Sequence, residues 1–168
     1  MRVSSWMKVF PIVCLFSLAS AGLQAGLTAP QSSGGSATQS APTRCTLRIQ
    51  VDGLRNAKGK VGTVIFKSPD GWPEDTAKAF RHGPADISPS TLKATVIWEN
   101  LPPGKYGVAL IHDENGNRKL DRNLFGIPKE GFGFANNPHV GLSTPPFSAA
   151  ITDVKCPTSE INIHMQYK

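Results

Sequence analysis

The sequence lacks most features that identify an enzyme or a membrane-spanning protein. After a short apolar run at residues 9–18 no second one follows, so we expect no transmembrane segment, because a spanning helix needs about 20 apolar residues. A Gly-x-Ser-x-Gly nucleophile motif and a phosphate-binding glycine loop are both absent. The four histidines have no spacing that specifies a zinc site. We therefore expect a non-enzymatic protein without catalytic residues.

The excess of positive charge is modest, with 18 Lys and Arg residues against 12 Asp and Glu residues. Four cations cluster at Arg118, Lys119, Arg122 and Lys129, where they could attract an anionic envelope polymer. No nucleic-acid-binding motif accompanies them, so we expect no nucleic-acid partner.

The first 25 residues are typical of a secretory signal peptide. Arg2 and Lys8 form a basic n-region, the apolar run follows, and small residues mark candidate cleavage sites at residues 19–21 and 23–25. Residues 26–44 have few large apolar side chains, which favours a flexible linker. We expect a secreted or periplasmic protein with one domain at residues 45–168.

Cysteine is scarce, and one of the three, Cys14, falls within the expected signal peptide. The other two, Cys45 and Cys156, are expected to form a disulfide in an oxidising compartment. The bond would connect the first strand to the segment before the last one. Two free buried thiols are the alternative.

Alternation of apolar and polar residues predicts a β protein. It is strictest at residues 45–51 and 161–167, where it places Cys45 inward and His164 outward. Further strands are predicted at residues 61–66, 94–98, 106–111 and 147–154, separated by Gly, Pro and Asn turn signals. The pattern predicts an all-β, antiparallel Greek-key-type β-sandwich.

One short helix is predicted at residues 73–81, between the second and third strands. Pro73 at its first position, Glu74 and Asp75 in its first turn and a basic residue in its last turn suit the helix dipole. Trp72 and Phe80 are expected to pack the helix onto a sheet, and a functional aromatic patch is the alternative.

Oxygen-bearing side chains alternate directly after the strand predicted at residues 106–111. This spacing favours a Ca²⁺ loop. The expected ligands are the side chains of Asp113, Asn115, Asn117 and Asp121, with the main-chain carbonyl of Lys119. The match is incomplete, because Arg118 replaces the usual glycine and Leu124 the usual bidentate glutamate. The alternative is an Asn-Gly turn that binds no metal.

Residues 122–146 show no strand periodicity and predict a long ordered loop. Loops beyond about 12 to 15 residues are uncommon in compact domains and are often functional. The expected binding surface consists of Phe125, Lys129, Glu130, Phe132, Phe134, Asn136 and Asn137. Glu130, Asn136 or Asn137 could also supply a missing metal ligand. The alternative is an Ω-like loop whose phenylalanines cover an open end of the sandwich.

Three segments together resemble a known family. They are residues 100–106 (Asn-Leu-Pro-Pro-Gly-Lys-Tyr), residues 112–117 (His-Asp-Glu-Asn-Gly-Asn) and residues 125–137. Over residues 45–168 the chain resembles the bacterial exported family catalogued as domain of unknown function 2141, which usually has glycine at position 118. The first segment alone is similar to a turn of transthyretin-like and carboxypeptidase-regulatory-like sandwiches. The resemblance implies an exported β-sandwich with no assigned activity.

Together these features favour an exported interaction module that is stabilised by calcium and binds an envelope protein or a glycan. One alternative is a small periplasmic hydrolase on a transthyretin-like fold that uses His112. The characteristic Tyr-Arg-Gly-Ser ending of hydroxyisourate hydrolases is absent, since the chain ends Met-Gln-Tyr-Lys. Another alternative is a purely structural module without a metal. No cofactor other than Ca²⁺ is expected.

Overall fold

The computed structural model describes residues 43–141 and 143–168, and in this part of the chain nine β-strands form two sheets. The expected signal peptide (residues 1–25) and all but the last two residues of the expected linker (26–44) lie outside the described residues. Within the described ranges no helix is long and apolar enough to cross a membrane.

The two sheets form a sandwich, as the alternation predicts. The strands are β1 (Cys45–Asp52), β2 (Lys60–Phe66), β3 (Arg81–Ala85), β4 (Ile87–Ser88), β5 (Lys93–Leu101), β6 (Gly104–Asp113), β7 (Gly131–Phe134), β8 (Ile151–Val154) and β9 (Thr158–His164). One sheet has the order β4-β5-β1-β9. The other has the order β3-β2-β6-β7, and β8 pairs with the first half of β6.

The core lies between the sheets and follows the sequence alternation. In β1 the inward residues Cys45, Leu47, Ile49 and Val51 are each at most 1 % exposed, and the residues between them are half-buried. Tyr106, Val108 and Leu110 of β6 are buried in the same cluster, together with Ile163 of β9. His164 is exposed, as expected.

One pair of strands departs from the predicted antiparallel arrangement, because β1 and β9 run parallel. The chain passes from β8 in one sheet to β9 in the other through residues 155–157 alone. The Cys45–Cys156 disulfide forms at this crossing, with the two Cα atoms 4.6 Å apart. It connects the start of β1 to the residues that lead into β9.

The helix predicted at residues 73–81 is absent. Turns occupy most of residues 71–79, and Arg81 begins β3. Helices of this length are marginal without tertiary support, and the Asp75 carboxylate accepts a hydrogen bond from the Ala77 N–H, which competes with helical bonding. The Phe80 N–H donates to the Ile65 carbonyl and draws the chain into the sheet instead.

Both aromatic residues of this segment contact a sheet, as expected. The Trp72 ring lies 5.6 Å from that of Phe66 and 5.9 Å from that of Phe134, and the Phe80 ring lies 5.6 Å from that of Tyr106. Trp72 thereby joins a second apolar cluster, on the outer face of the β2-β6-β7 sheet.

The strand predicted at residues 147–154 begins later than expected, because Phe147–Ala150 form a single 3₁₀ turn before β8. The Ala149 N–H donates to the Pro146 carbonyl, and the Phe147 ring packs edge-on against Trp72 with centroids 5.5 Å apart. Packing of this ring over Gly107 leaves no space for a side chain there.

Candidate functional site

Asp113 organises the loop that follows β6. Its Oδ1 accepts hydrogen bonds from the N–H groups of Gly116 and Asn117 at 2.8 and 3.0 Å, and its Oδ2 accepts one from Arg118 at 2.8 Å. Arg118 has φ = 63°, the left-handed conformation that glycine usually supplies at this point of a calcium loop. The carboxylate is 6 % exposed, so these three bonds fix the loop around it.

Two of the expected ligands, Asn115 and Asn117, converge on a third, Asp121. Their side-chain amides donate to the two Asp121 carboxylate oxygens at 2.6 and 2.9 Å. The amide oxygens point the other way and accept hydrogen bonds from the N–H groups of Asn117 and Lys119. In this conformation each oxygen of the Asp121 carboxylate accepts a hydrogen bond from one of the two amides.

Glu130 connects the two ends of this loop. It is 5 % exposed, and its two carboxylate oxygens accept hydrogen bonds from the N–H groups of Glu114 and Asp121 at 3.0 and 3.1 Å. The prediction that Glu130 belongs to a binding surface is therefore wrong, because both oxygens are buried and engaged by the main chain.

The donor set fits a weak cation site better than a strong one. The described residues contain no group of three or more His, Cys, Asp or Glu side chains placed to hold a metal. Ca²⁺ prefers six to eight oxygens. Rotation of the Asn115 and Asn117 amides by half a turn would direct both oxygens toward Asp121, at the cost of the two main-chain hydrogen bonds that those oxygens now accept.

His112 is the next-to-last residue of β6 and is fully buried. Its Nε2 is 2.9 Å from the Lys58 carbonyl, which can only accept, so Nε2 carries the hydrogen. Its Nδ1 accepts from the Tyr167 hydroxyl at 2.7 Å, and that hydroxyl accepts from the Arg55 N–H at 3.1 Å. Both ring nitrogens are thus engaged by groups of the protein itself.

Glu114 extends this network to the surface. It receives hydrogen bonds from Arg55 at 2.7 Å and from Asn56 at 3.2 Å. Burial acts to raise the pKa of Glu114, but these hydrogen bonds and the Arg55 charge outweigh it, so the pKa lies below its usual value. Burial also raises the pKa of Tyr167, which keeps the phenol protonated as the donor to His112.

The long loop predicted at residues 122–146 contains a strand. β7 alternates glycine and phenylalanine, and Phe132 and Phe134 are 3 % and 5 % exposed in the outer apolar cluster. The glycines face the interior, where a Cβ on Gly131 would come within 2.6 Å of the Tyr167 ring. Phe132 and Phe134 are therefore packing residues, and their assignment to a binding surface is wrong.

Asn136 and Asn137 are exposed, but their side chains form hydrogen bonds that stabilise the fold. Asn136 donates to the carbonyls of Ala149 and Ile151, and Asn137 donates to that of Asn162. The Asn137 side-chain oxygen accepts from the His164 N–H at 2.8 Å. These bonds attach the segment after β7 to β8 and β9, and none of them involves a residue of the Asp113 loop.

A short hairpin, which we call the finger (residues 121–129), projects apolar side chains into solvent. The Lys129 N–H donates to the Asp121 carbonyl at the base, and the Asn123 N–H donates to the Ile127 carbonyl near the tip. Leu124 and Phe125 form the tip and are 101 % and 86 % exposed.

Phe125 and Lys129 of the predicted binding surface lie on the finger, whereas Leu124 was not among the predicted binding residues. Two consecutive large apolar residues between the turn residues Asn123 and Gly126 were the available signal. Arg55 and Tyr167 were missed as well, because only the tertiary structure brings them beside His112.

The fold and these contacts define a disulfide-linked β-sandwich domain with a hydrogen-bonded polar loop and an exposed apolar finger. A family model matches residues 49–162, and the chain belongs to that family, which is described as "Uncharacterized protein conserved in bacteria (DUF2141)". This match confirms the family resemblance found in the sequence. No curated protein and no solved structure matches the chain.

Proposed function

We propose that the protein is an exported, non-enzymatic interaction module that binds a component of the cell envelope through the finger. The observation that carries this proposal is the nearly complete exposure of Leu124 and Phe125 on an ordered hairpin. Full burial of one such side chain contributes about 1.5 to 3 kcal/mol of free energy. A partner that covers both side chains would therefore gain binding free energy by removing them from water. An envelope protein or a glycan is the partner class that the sequence favours.

Two further observations support this proposal. The disulfide suits an oxidising compartment, where exported proteins reside. The buried His112 has both ring nitrogens occupied, which disfavours the hydrolase alternative, because a general base must reach its substrate. The transthyretin-like relationship stays a prediction.

Site-specific photo-cross-linking tests the finger as the contact surface. We expect p-benzoylphenylalanine at position 125 to form an adduct with an envelope component in intact cells. The same residue at position 155, where the Lys155 side chain is 78 % exposed, is the matched control. Equal labelling at both positions, or none at either, would contradict the proposal.

Calcium binding to the loop between Asp113 and Asp121 is the second part of the proposal. It is supported by the left-handed Arg118 and by the convergence of Asn115 and Asn117 on Asp121. Bound Ca²⁺ would hold the base of the finger, since Asp121 belongs to both the loop and the finger. The cation would replace two amide donors that already satisfy the carboxylate, so we expect a dissociation constant near the weak extracellular limit of about 10⁻³ M.

Thermal unfolding in excess EDTA and then in calcium measures this site. At about 10 mM calcium, roughly ten times that dissociation constant, binding adds about 1.4 kcal/mol, which raises the melting temperature by a few degrees. We expect Asp121→Asn to abolish the rise while leaving the Asp113 hydrogen bonds in place. Glu160→Gln removes an exposed carboxylate from β9 and should retain the rise. If calcium did not shift the melting temperature of the wild-type protein, that result would contradict the metal proposal.

A further inference from the structure

The finger differs in chemistry from the rest of the described surface. Besides Leu124 and Phe125, the exposed large hydrophobic residues in the described ranges are Phe80 and Ile97, at 36 % and 46 % exposure. Leu124 and Phe125 have roughly twice that exposure and are adjacent in sequence. Exposed apolar side chains that occur singly need no explanation, whereas a contiguous pair at the tip of an ordered hairpin indicates a contact surface.

Three main-chain N–H groups of the tip are already hydrogen-bonded within the finger. The N–H groups of Phe125 and Ile127 donate to the Asn123 side-chain oxygen at 2.9 and 3.0 Å, and the Gly126 N–H donates to the Asn123 carbonyl at 2.9 Å. A protein partner that adds a strand needs free main-chain groups. An apolar medium, in contrast, favours a tip whose N–H groups are already satisfied.

The exposed side chains near the finger that carry an unpaired charge are positive. The side chains of Arg118, Lys119 and Lys129 are exposed and form no ion pair with any residue in the described ranges, whereas Arg122 pairs with Glu74 at 2.6 Å. The nearby carboxylates are less exposed than these cations, because Asp113 and Glu130 are buried and Asp121 is half-buried. An apolar tip among cations matches a surface that is apolar inside and anionic outside.

We infer that the finger docks on an anionic lipid surface, with Leu124 and Phe125 entering the interface and Lys119 and Lys129 contacting lipid phosphates. This inference rests on the proposed function, because it assigns a partner to the same finger. A lipid surface needs only an apolar tip and nearby positive charge. A protein partner that adds a strand would find three of the tip's N–H groups already bonded.

Vesicle flotation of the disulfide-intact protein tests the inference. We expect binding to vesicles of equimolar phosphatidylcholine and phosphatidylglycerol, and little binding to phosphatidylcholine alone. Leu124→Ser with Phe125→Ser should weaken binding at least about tenfold, since each lost apolar contact contributes. Lys119→Gln with Lys129→Gln should weaken it several-fold, and added salt should do the same to the wild type.

Matched controls separate the finger from general surface effects. Ile97→Ser removes an exposed apolar residue from β5, and Lys105→Gln removes an exposed cation from β6. Both should bind as the wild type does. Leu124 and Phe125 are exposed, so their replacement should leave the melting temperature unchanged. Equal binding by the tip variant and the wild type would overturn the inference.

The photo-cross-link at position 125 distinguishes failure of the lipid inference from failure of the proposed interaction module. A lipid adduct together with vesicle binding supports both the interaction module and its lipid partner. A polypeptide or glycan adduct without vesicle binding retains the interaction module and overturns the lipid inference. Neither an adduct nor vesicle binding overturns both.

Discussion

Removal of the Cys45–Cys156 disulfide is expected to lower the free energy of unfolding by about 3 to 5 kcal/mol. The two cysteines are separated by 111 positions, so the bond closes most of the domain into one loop. Closing a loop of about 100 residues contributes roughly 4.7 kcal/mol in the chain-entropy model. The bond also holds the entry to β9, an edge strand that pairs with β1 alone within its sheet.

Urea unfolding with and without a reductant measures this loss. The Cys45→Ala, Cys156→Ala double variant should show the same loss without reductant, apart from a small contribution from the buried Cys45 side chain. Adding reductant to that variant should change nothing, which separates the bond from other effects of the reagent. A loss below about 1 kcal/mol would show that the loop-closure argument fails for this domain.

Replacement of His112 by phenylalanine is expected to cost about 3 kcal/mol, because it preserves an aromatic ring but leaves both hydrogen-bond partners of the buried imidazole unpaired. The Lys58 carbonyl loses its donor and the Tyr167 hydroxyl loses its acceptor. Tyr167→Phe should cost less, about 1 to 2 kcal/mol, because it leaves the His112–Lys58 bond intact.

The double variant tests whether His112 and Tyr167 act as a pair. The loss in His112→Phe, Tyr167→Phe should be smaller than the sum of the two single losses, because the unpaired hydroxyl is removed as well. Urea midpoints with unchanged slopes provide the comparison. Additive losses would mean that the 2.7 Å contact contributes no coupling.

Local sequence patterns predicted most of the sandwich, because each pattern depends on neighbouring residues alone. The alternation of Cys45, Leu47, Ile49 and Val51 predicted β1 and its buried face. Cysteine counting predicted the disulfide. The loop after β6 was located correctly too, since its Asx and Asn-Gly signals lie within nine residues.

Local signals failed where distant residues determine the structure. Residues 73–81 carry suitable helix termini, but Phe80 bonds to Ile65 and the chain enters β3. β7 carries no strand signal in the sequence, because two of its four residues are glycines. Those glycines accommodate residues far away in the chain, with Gly131 facing Tyr167 and Gly133 facing Ile163.

In the candidate site, too, some features follow from local sequence and others only from the tertiary structure. The sequence alone selected Asp113, Asn115, Asn117 and Asp121, because oxygen spacing is a local property. Only the tertiary structure shows that the Glu130 carboxylate connects both ends of their loop by accepting hydrogen bonds from main-chain N–H groups.

By itself the sequence determined the β class, the single disulfide and the polar loop, since periodicity and composition encode them. The tertiary structure decided the parallel pairing of β1 with β9, the burial of Phe132 and Phe134, and the exposure of Leu124 and Phe125. All four of those side chains are apolar, so hydrophobicity alone does not distinguish the buried pair from the exposed pair. Whether an apolar side chain packs or projects depends on which distant strand covers it, and that is fixed only when the two sheets assemble.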